Sequence, residues 1–149
     1  MDISIVIPLL NECESLQELS LKIDSVMIEN SFSYEVIYVD DGSNDNSWEI
    51  ISSICKENNS FKALKFSKNY GKSQALHAGF EIATGNLVFT MDADLQDSPD
   101  EIPGLYDKII GLGKESNSER LSKRARTILS GLGANTYQGG KMVGGYGLK

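Results

Sequence analysis

Hydrophobic and polar residues alternate with two different periods along the first part of the chain. Compact apolar runs predict four strands, and they are ISIVIPLL, which is rich in β-branched residues, YEVIYVD, FKALKFS and NLVFTMD. After each run, apolar residues recur at helical spacing, as they do from Glu12 to Met27, which predicts a helix. Residues 1–110 therefore predict the order β-α-β-α-β-α-β-α.

Turn and capping residues mark the predicted helix ends. Asp45 or Asn46 is expected to cap the second helix, Gly71 to open the third, Gly85 to close it, and Pro99 to start the fourth. Strands separated by helices of this length predict an α/β fold, with a mostly parallel sheet covered on both faces. Ligands of such sheets bind beyond the carboxyl ends of the strands, so we expect the chemistry in PLLNE, DDGSNDNS, SKNYGKS and DADLQD.

The net charge of −7 conceals a division of the chain. Residues 1–110 hold 7 Lys and Arg against 19 Asp and Glu, whereas residues 111–149 hold 7 against 2, together with nine of the 14 glycines. This shift predicts a domain over 1–110 and a basic, glycine-rich tail over 111–149 that is partly flexible. A basic amphipathic helix is compatible with the tail around Leu121, more simply as a solvated helix than as a membrane-bound one. The acidic body argues against nucleic-acid binding.

Several observations predict a cytoplasmic protein. No apolar run reaches the length of a membrane span, and the N-terminus MDISIVIP lacks the features of a secretory signal. Cys13 and Cys55 are isolated and form neither a CxxC pair nor a disulfide framework.

The carboxylates of FTMDADLQD are the strongest candidate chemistry. If the fourth strand continues through Asp94, then Asp92 and Asp94 point to the same side and repel each other unless they share a cation. Mg²⁺ or Mn²⁺ bound to a diphosphate suits such a pair, because these ions take oxygen ligands and retain sites for phosphate. The alternative is that these are loop and cap carboxylates, and for Asp97 we favour a cap of the following helix.

Other polar groups at the same predicted edge leave alternatives open. Asp40 and Asp41 can accept hydrogen bonds from a ribose or a base, although DDGS alone is also a good turn sequence. Lys68 and Lys72 can meet a phosphate or simply be solvated, and His77 is more readily a packed or surface residue than a ligand. The first loop lacks GxGxxG, which argues against a dinucleotide cofactor.

Taken in order, SIVIPLLNE, VDDGSNDNS, KNYGKSQALHAGFEIATGN and MDADLQDSPDEIP resemble the N-terminal half of family 2 glycosyltransferases. The motifs are most similar to the branch of dolichyl-phosphate mannosyltransferases and polyprenyl-phosphate glycosyltransferases, over residues 2–107. The resemblance implies a GT-A fold, a UDP- or GDP-linked sugar donor, and Mg²⁺ or Mn²⁺. It also implies inverting transfer of a hexose to a polyprenyl-phosphate acceptor, whose phosphate oxyanion needs no general base.

The same resemblance implies roles for individual residues. Asp92 and Asp94 would be the catalytic carboxylates and, with Gln96, the metal ligands. The residues that would bind the nucleotide sugar are Pro8, Leu10, Glu12, Val39, Asp41, Asp92 and Ala93, with Asp41 meeting the base. Leu10 departs from the aromatic residue often found at this position.

The tail does not show the further strand and acceptor residues with which the family normally continues. The sequence therefore leaves open a truncation or a change of reading frame near residue 111, and with it a non-catalytic nucleotide-binding fragment. An uncovered sheet edge would then favour a homodimer. A phosphohydrolase of the haloacid-dehalogenase type is another alternative, but its Asp-x-Asp usually follows the first strand, whereas Asp92 and Asp94 follow the fourth. Attachment of a longer parent protein to the membrane periphery is also possible on this resemblance.

Overall fold

The computed structural model of the chain describes residues 1–115, 137–138 and 141–142. Its first 115 residues form the alternating strands and helices that the hydrophobic pattern predicts. The strands are β1 (Ile3–Leu9), β2 (Tyr34–Asp40), β3 (Phe61–Lys65) and β4 (Leu87–Thr90). The helices are α1 (Leu16–Glu29), α2 (Ser47–Glu57), α3 (Lys72–Ile82) and α4 (Glu101–Glu115).

The four strands form one parallel sheet in the order β3-β2-β1-β4. β1 and β2 are the central strands, and the register pairs Leu9 with Asp40 at their carboxyl ends. Every residue of β1 is buried, as expected for a strand that is covered on both faces and flanked on both sides. The segments after β1 and β2 therefore leave the sheet side by side.

Helices cover both faces of this sheet, but unequally within the described residues. The larger apolar cluster joins one face of β1 and β2 to α1, α2 and α4, through residues such as Leu19, Ile51 and Ile102. The smaller cluster joins the opposite face to α3, through Ala75 and Phe80. Successive strand residues alternate between the two clusters because side chains of a strand point to opposite faces.

Gly79 allows α3 to lie unusually close to the sheet. A Cβ atom at this position would meet Val6 Cγ1 at 2.3 Å and Val39 Cγ2 at 3.3 Å. Both valines belong to the core of the central strands. The absence of a side chain at Gly79 therefore sets the distance between α3 and β1.

A buried carboxylate fastens the far end of α3 to the sheet, away from the carboxyl ends of the strands. Glu35 accepts hydrogen bonds from Ser4 Oγ (2.6 Å) and from the N–H and Oγ1 of Thr84 (2.6 and 2.8 Å), and Lys62 Nζ lies 2.6 Å from its other oxygen. Burial alone raises the pKa of Glu35, but the contacts from Lys62, Ser4 and Thr84 outweigh it and lower the pKa to about 2. Glu35 is therefore ionised at neutral pH and satisfies polar groups of three segments.

Some helix ends differ from those expected. Asn46 occupies the position before α2 without a side-chain cap, whereas Asp45 Oδ1 accepts the Ser47 N–H at 3.0 Å. The fourth helix begins at Glu101 rather than at Pro99, because Pro99 lies in a preceding turn whose carbonyl accepts the Ile102 N–H. α4 also continues past Ile110 to Glu115.

Part of the tail is described. Tyr137–Gln138 (β5) and Lys141–Met142 (β6) pair as antiparallel strands, which the glycine-rich composition did not predict. The two glycines between them in the sequence are a common signal for a hairpin. The helix considered around Leu121 lies outside the described residues, and the flexibility of the tail stays a prediction. Within the described part of the chain, none of the helices has both the length and the apolarity needed to cross a bilayer.

The close approach of α3 can be tested with two glycine substitutions. Gly79→Ala should lower the free energy of unfolding by roughly 1–3 kcal/mol, because the added methyl group overlaps Val6. Gly104→Ala is the matched control in α4, where a Cβ atom meets nothing within 4 Å, and it should be neutral or stabilising by up to about 1 kcal/mol. Urea unfolding followed by circular dichroism measures both. Equal effects of the two substitutions would contradict this packing.

The Glu35 network predicts a pH-dependent contribution to stability. The pKa of Glu35 is lowered from an ordinary 4.5 to about 2, so its stabilising effect is complete above pH 4.5 and is lost as the pH falls towards 2. Glu35→Gln should therefore reduce the free energy of unfolding by about 3 kcal/mol at pH 7, and the difference from wild type should shrink between pH 4.5 and 2. Glu49→Gln, at an exposed position, should show no such effect. A pH-independent difference in urea unfolding would argue against the network.

Candidate functional site

Four loops meet in one cavity at the edge of the sheet where the parallel strands end. The cavity has a volume of about 280 Å³. Its walls are formed by residues 8–10 and Glu12 at the end of β1 and just beyond it, Asp41 after β2, Asn69, Gly71 and Lys72 around the start of α3, and residues 92–94 after β4. The expectation that polar segments after all four strands converge at one edge is confirmed.

The loop after β1 is held in place by the loop after β2. Asn11 has a φ of 58°, a left-handed conformation that asparagine tolerates better than most residues. Three consecutive N–H groups of the first loop donate to side chains of the second: Asn11 to Ser43 Oγ (2.9 Å), Glu12 to Ser47 Oγ (2.9 Å) and Cys13 to Asp45 Oδ2 (3.2 Å). Much of DGSNDNS therefore positions the neighbouring loop, a role that its turn-forming composition did not reveal.

Asp41 connects the loop after β2 to the loop before α3. Its Oδ1 accepts the N–H of Tyr70 at 2.7 Å, and its Oδ2 accepts the N–H of Gly71 at 2.8 Å. The two loops are so close that a Cβ atom on Gly42 would lie 2.5 Å from the backbone of Lys68. Asp41 is nearly buried, at 4% exposure, yet it lines the cavity. Its carboxylate thus fixes one wall of the site, and the residue itself borders the space that a ligand would occupy.

Asp92 and Asp94 reach the cavity through a turn rather than along a strand. β4 ends at Thr90, and Leu95 has a φ of 65°, so the chain has left the extended conformation by this point. The condition that the strand continues through Asp94 is therefore not met, although both carboxylates still line the same cavity. The turn between β4 and α4 therefore brings both carboxylates to the cavity.

Hydrogen bonds inside this turn orient its carboxylates. Asp94 Oδ1 accepts the Gln96 N–H at 3.0 Å, and Asp97 Oδ2 accepts the Asp92 N–H at 3.3 Å. The described contact of Asp97 is thus with its own turn, whereas the sequence favoured a cap of α4. Asp92 Oδ1 forms an ion pair with Lys72 Nζ at 2.5 Å.

The pKa of Glu12 is raised in the negatively charged cavity. Burial raises its pKa, and the nearby carboxylates of Asp94, Asp45 and Asp92 raise it further, in that order. Glu12 therefore lies close enough to the DADLQD turn to sense its charge. A cation in this space would be favoured by several carboxylates at once.

Two residues that the resemblance assigns to the site do not line the cavity. Val39 is fully buried and packs with Val6 and Ile37 beneath α3, because it lies on the α3-facing side of β2. Gln96 is exposed and does not line the cavity. The structure brings the remaining assigned residues to the cavity, and these are Pro8, Leu10, Glu12, Asp41, Asp92, Ala93 and Asp94.

The loop before α3 contributes more to the cavity than the sequence indicated. Lys72 lines the cavity, whereas Lys68 lies over the ring of Tyr70, 5.2 Å from its centroid. Asn69 and Gly71 also line it, and neither was predicted. The polar composition of SKNYGKS pointed to this loop but not to these individual residues. His77 lies on the exposed side of α3.

The donor set suits a divalent cation that brings its own additional ligands. No group of three His, Cys, Asp or Glu side chains capable of holding a metal occurs within the described part of the chain. The Asp92 and Asp94 carboxylates nevertheless line one cavity, and a lysine ammonium already occupies one of them. Mg²⁺ and Mn²⁺ bound to a nucleotide commonly take one or two carboxylates together with phosphate oxygens. The pair therefore fits a metal that enters with a diphosphate.

Comparison with protein-family models assigns this chain to a family. The family model for glycosyl transferase family 2 matches residues 4–117, which include every wall of the cavity. The chain belongs to glycosyl transferase family 2. This membership confirms the resemblance carried by the four motifs, and it argues against the haloacid-dehalogenase alternative.

Curated relatives are described as undecaprenyl-phosphate 4-deoxy-4-formamido-L-arabinose transferases. The protein from Sodalis glossinidius is 37% identical over 97% of this chain and 46% of its own length. That from Pseudomonas fluorescens is 44% identical over 71% of this chain and 31% of its own length. The chain thus spans less than half the length of either relative. The match over 97% of the chain includes much of the sequence after Ile110, which argues against a change of reading frame there.

Solved structures confirm the GT-A type of α/β fold. S. aureus TarS in complex with UDP-GlcNAc has a TM-score of 0.59 at 23% identity, over 74% of this chain and 31% of that one. The mannosyltransferase PcManGT from Pyrobaculum calidifontis, in complex with GDP-Man and Mn²⁺, has a TM-score of 0.57 at 24% identity, over 69% and 30%. At these identities the likeness concerns the fold. None of the comparisons supports the homodimer expected from an uncovered sheet edge.

The electrostatic coupling inside the cavity can be tested at Glu12. Asp94→Asn should lower the pKa of Glu12, because Asp94 is the strongest of the charges that raise it. Asp92→Asn should lower it less, and Asp100→Asn, at an exposed position outside the cavity, should leave it unchanged. Carboxyl-carbon NMR titration measures these pKa values. A Glu12 pKa that ignores Asp94→Asn would contradict the proximity of the two loops.

Proposed function

We propose that this chain is the donor-binding part of a metal-dependent, inverting glycosyltransferase that acts on a polyprenyl phosphate. The observation that carries the proposal is the single cavity shared by Asp41, Asp92 and Asp94, residues assigned to the base, diphosphate and metal of a nucleotide-sugar donor. The named activities of the curated relatives and the UDP-GlcNAc and GDP-Man bound to structural neighbours support the same substrate classes. The chain spans only part of the length of its relatives, so we propose the complete reaction for the full-length protein.

The nucleoside would lie between the first two loops. Pro8 and Leu10 provide apolar surface on one wall, and Leu10 is 38% exposed and therefore accessible to a base. Asp41 can accept a hydrogen bond from a base N–H without releasing its loop, because each carboxylate oxygen has more than one acceptor position and only one is used by Tyr70 or Gly71. Because hydrogen bonds already hold this wall in place, it would orient the base as the donor enters the cavity.

The diphosphate and metal would lie beside the DADLQD turn. Asp92 and Asp94 would hold Mg²⁺ or Mn²⁺, and a role for the Gln96 amide stays a prediction. When bound, the metal supplies Lewis-acid neutralisation of the charge that develops on the leaving nucleoside diphosphate. The turn hydrogen bonds hold the Asp94 carboxylate and the Asp92 backbone in place, so little movement of the turn itself is needed when the donor binds.

Transfer would occur by direct displacement at the anomeric carbon. An oxygen of the acceptor phosphate forms the new bond to that carbon on the face opposite the leaving group, and the bonding electron pair departs with the nucleoside diphosphate. Configuration is thereby inverted. A phosphate monoester is already anionic at neutral pH, so no residue of the chain needs to remove a proton.

The motifs and the named relatives point to different classes of sugar. The resemblance of the motifs implies a hexose, whereas the named relatives transfer a substituted arabinose. Both sugar classes belong in the test. The acceptor class would bring the full-length protein to the membrane surface, where polyprenyl phosphates reside.

The decisive experiment is transfer from UDP- and GDP-linked hexoses and pentoses to undecaprenyl phosphate, with Mn²⁺ or a chelator. Asp94→Asn should reduce transfer by roughly 100-fold or more, because it removes one of two anionic groups placed for the metal. Removal of divalent cations should abolish transfer, and their return should restore it.

Asp107→Asn is the control for this experiment, because Asp107 is an exposed residue of α4 outside the cavity. It should retain wild-type transfer. Unchanged transfer in Asp94→Asn, or transfer that persists in a chelator, would refute the metal-dependent reaction.

A further inference from the structure

The ion pair between Lys72 and Asp92 is a contact inside the cavity to which the proposed reaction assigns no role. The two atoms, Lys72 Nζ and Asp92 Oδ1, are 2.5 Å apart. Both side chains remain open to solvent, at 60% and 49% exposure. An exposed ion pair is weak and readily exchanged. The contact can therefore connect the two loops without resisting a change of partner.

The charges that line the cavity explain why a change of partner is needed. Lys72 is the one cationic side chain among the described lining residues, against the carboxylates of Glu12, Asp41, Asp92 and Asp94. A diphosphate adds further negative charge to this space. Its entry is more favourable when positive charge meets it, and Lys72 can offer the diphosphate its full charge by leaving Asp92.

The backbone around Lys72 is fixed, although its side chain is not. Lys72 is the first residue of α3, and the preceding Gly71 donates its N–H to the nearly buried Asp41. The Cα atom of Lys72 therefore stays at the cavity wall. Its long, flexible side chain can sweep the space between the DADLQD turn and the site proposed for the diphosphate.

We propose that Lys72 is a placeholder cation that transfers from Asp92 to the donor diphosphate when the divalent metal takes its place. While it is paired with Asp92, Lys72 neutralises that carboxylate and weakens the binding of metal alone. When the diphosphate draws Lys72 away, Asp92 becomes available to the metal. Metal and nucleoside diphosphate therefore bind cooperatively, and by thermodynamic linkage each increases the affinity of the other by the same factor. This inference rests on the proposed function.

Binding measurements on Lys72→Gln test the exchange. With Mn²⁺ alone, followed by electron paramagnetic resonance, Lys72→Gln should bind a few-fold more tightly than wild type, because Asp92 has lost its competing partner. With UDP or GDP in saturating Mn²⁺, calorimetry should show binding weakened roughly tenfold by the loss of a charged contact. Uridine and guanosine should bind as to wild type, because they carry no phosphate.

Lys68→Gln is the matched control. It removes the same charge from the same loop, but Lys68 lies over Tyr70 and does not line the cavity. All its affinities should remain within about twofold of wild type, as expected for an exposed charge that is screened by solvent and does not line the cavity. If Lys68→Gln and Lys72→Gln changed these affinities equally, the cause would be a general effect of charge. That result would overturn the exchange.

The remaining outcomes separate this inference from the proposed function. If wild type binds UDP or GDP with Mn²⁺ and Lys72→Gln does so equally well, the exchange is wrong and the proposed function stands. If Lys72→Gln weakens the nucleosides as much as the diphosphates, Lys72 only supports the loop and the exchange is also wrong. If wild type binds neither nucleoside diphosphate with Mn²⁺, both fail.

Discussion

The site depends on the acceptors that the loop after β2 offers to its two neighbours. A loop that leaves a sheet carries backbone N–H groups that no longer have strand partners, and buried N–H groups need other acceptors. Ser43, Ser47 and Asp45 take those of the loop after β1, and Asp41 takes those of the loop before α3. β2 is a central strand, so its loop lies between the two that it supports. One short polar segment therefore fixes the cavity walls formed by the loops after β1, β2 and β3.

This arrangement divides the carboxylates of the site into two kinds. Asp45 satisfies backbone groups of a neighbouring loop, and its hydrogen bonds with Ser47 and Cys13 overcome the effect of burial and lower its pKa to about 2. Asp92 and Asp94 have few protein partners and remain accessible to a ligand. Asp41 combines both properties. A carboxylate-rich sequence can thus encode loop architecture and ligand binding at once.

The fold could be predicted from the sequence because strand and helix periods differ and each element carries enough apolar residues to show its period. The convergence of four loops followed from the parallel order alone. The position of individual side chains did not follow. Val39 is buried because its place in the strand alternation faces α3, and the turn after Thr90 is held by side-chain contacts within the turn. The roles of Lys72 and Ser43 depend on contacts between loops that are distant in sequence, which no local pattern records.

Helix α3 is anchored by a carboxylate at each end. Asp41 holds Gly71 just before the first residue, and Glu35 holds Thr84 just after the last, on opposite sides of a contact with Val6 that fixes the helix sideways. Adding or removing one residue would shift the helix by about 1.5 Å and rotate it by about 100°, which would break at least one anchor. The two anchors therefore constrain the number of residues in α3. Insertions and deletions should be confined to loops that do not bear on it.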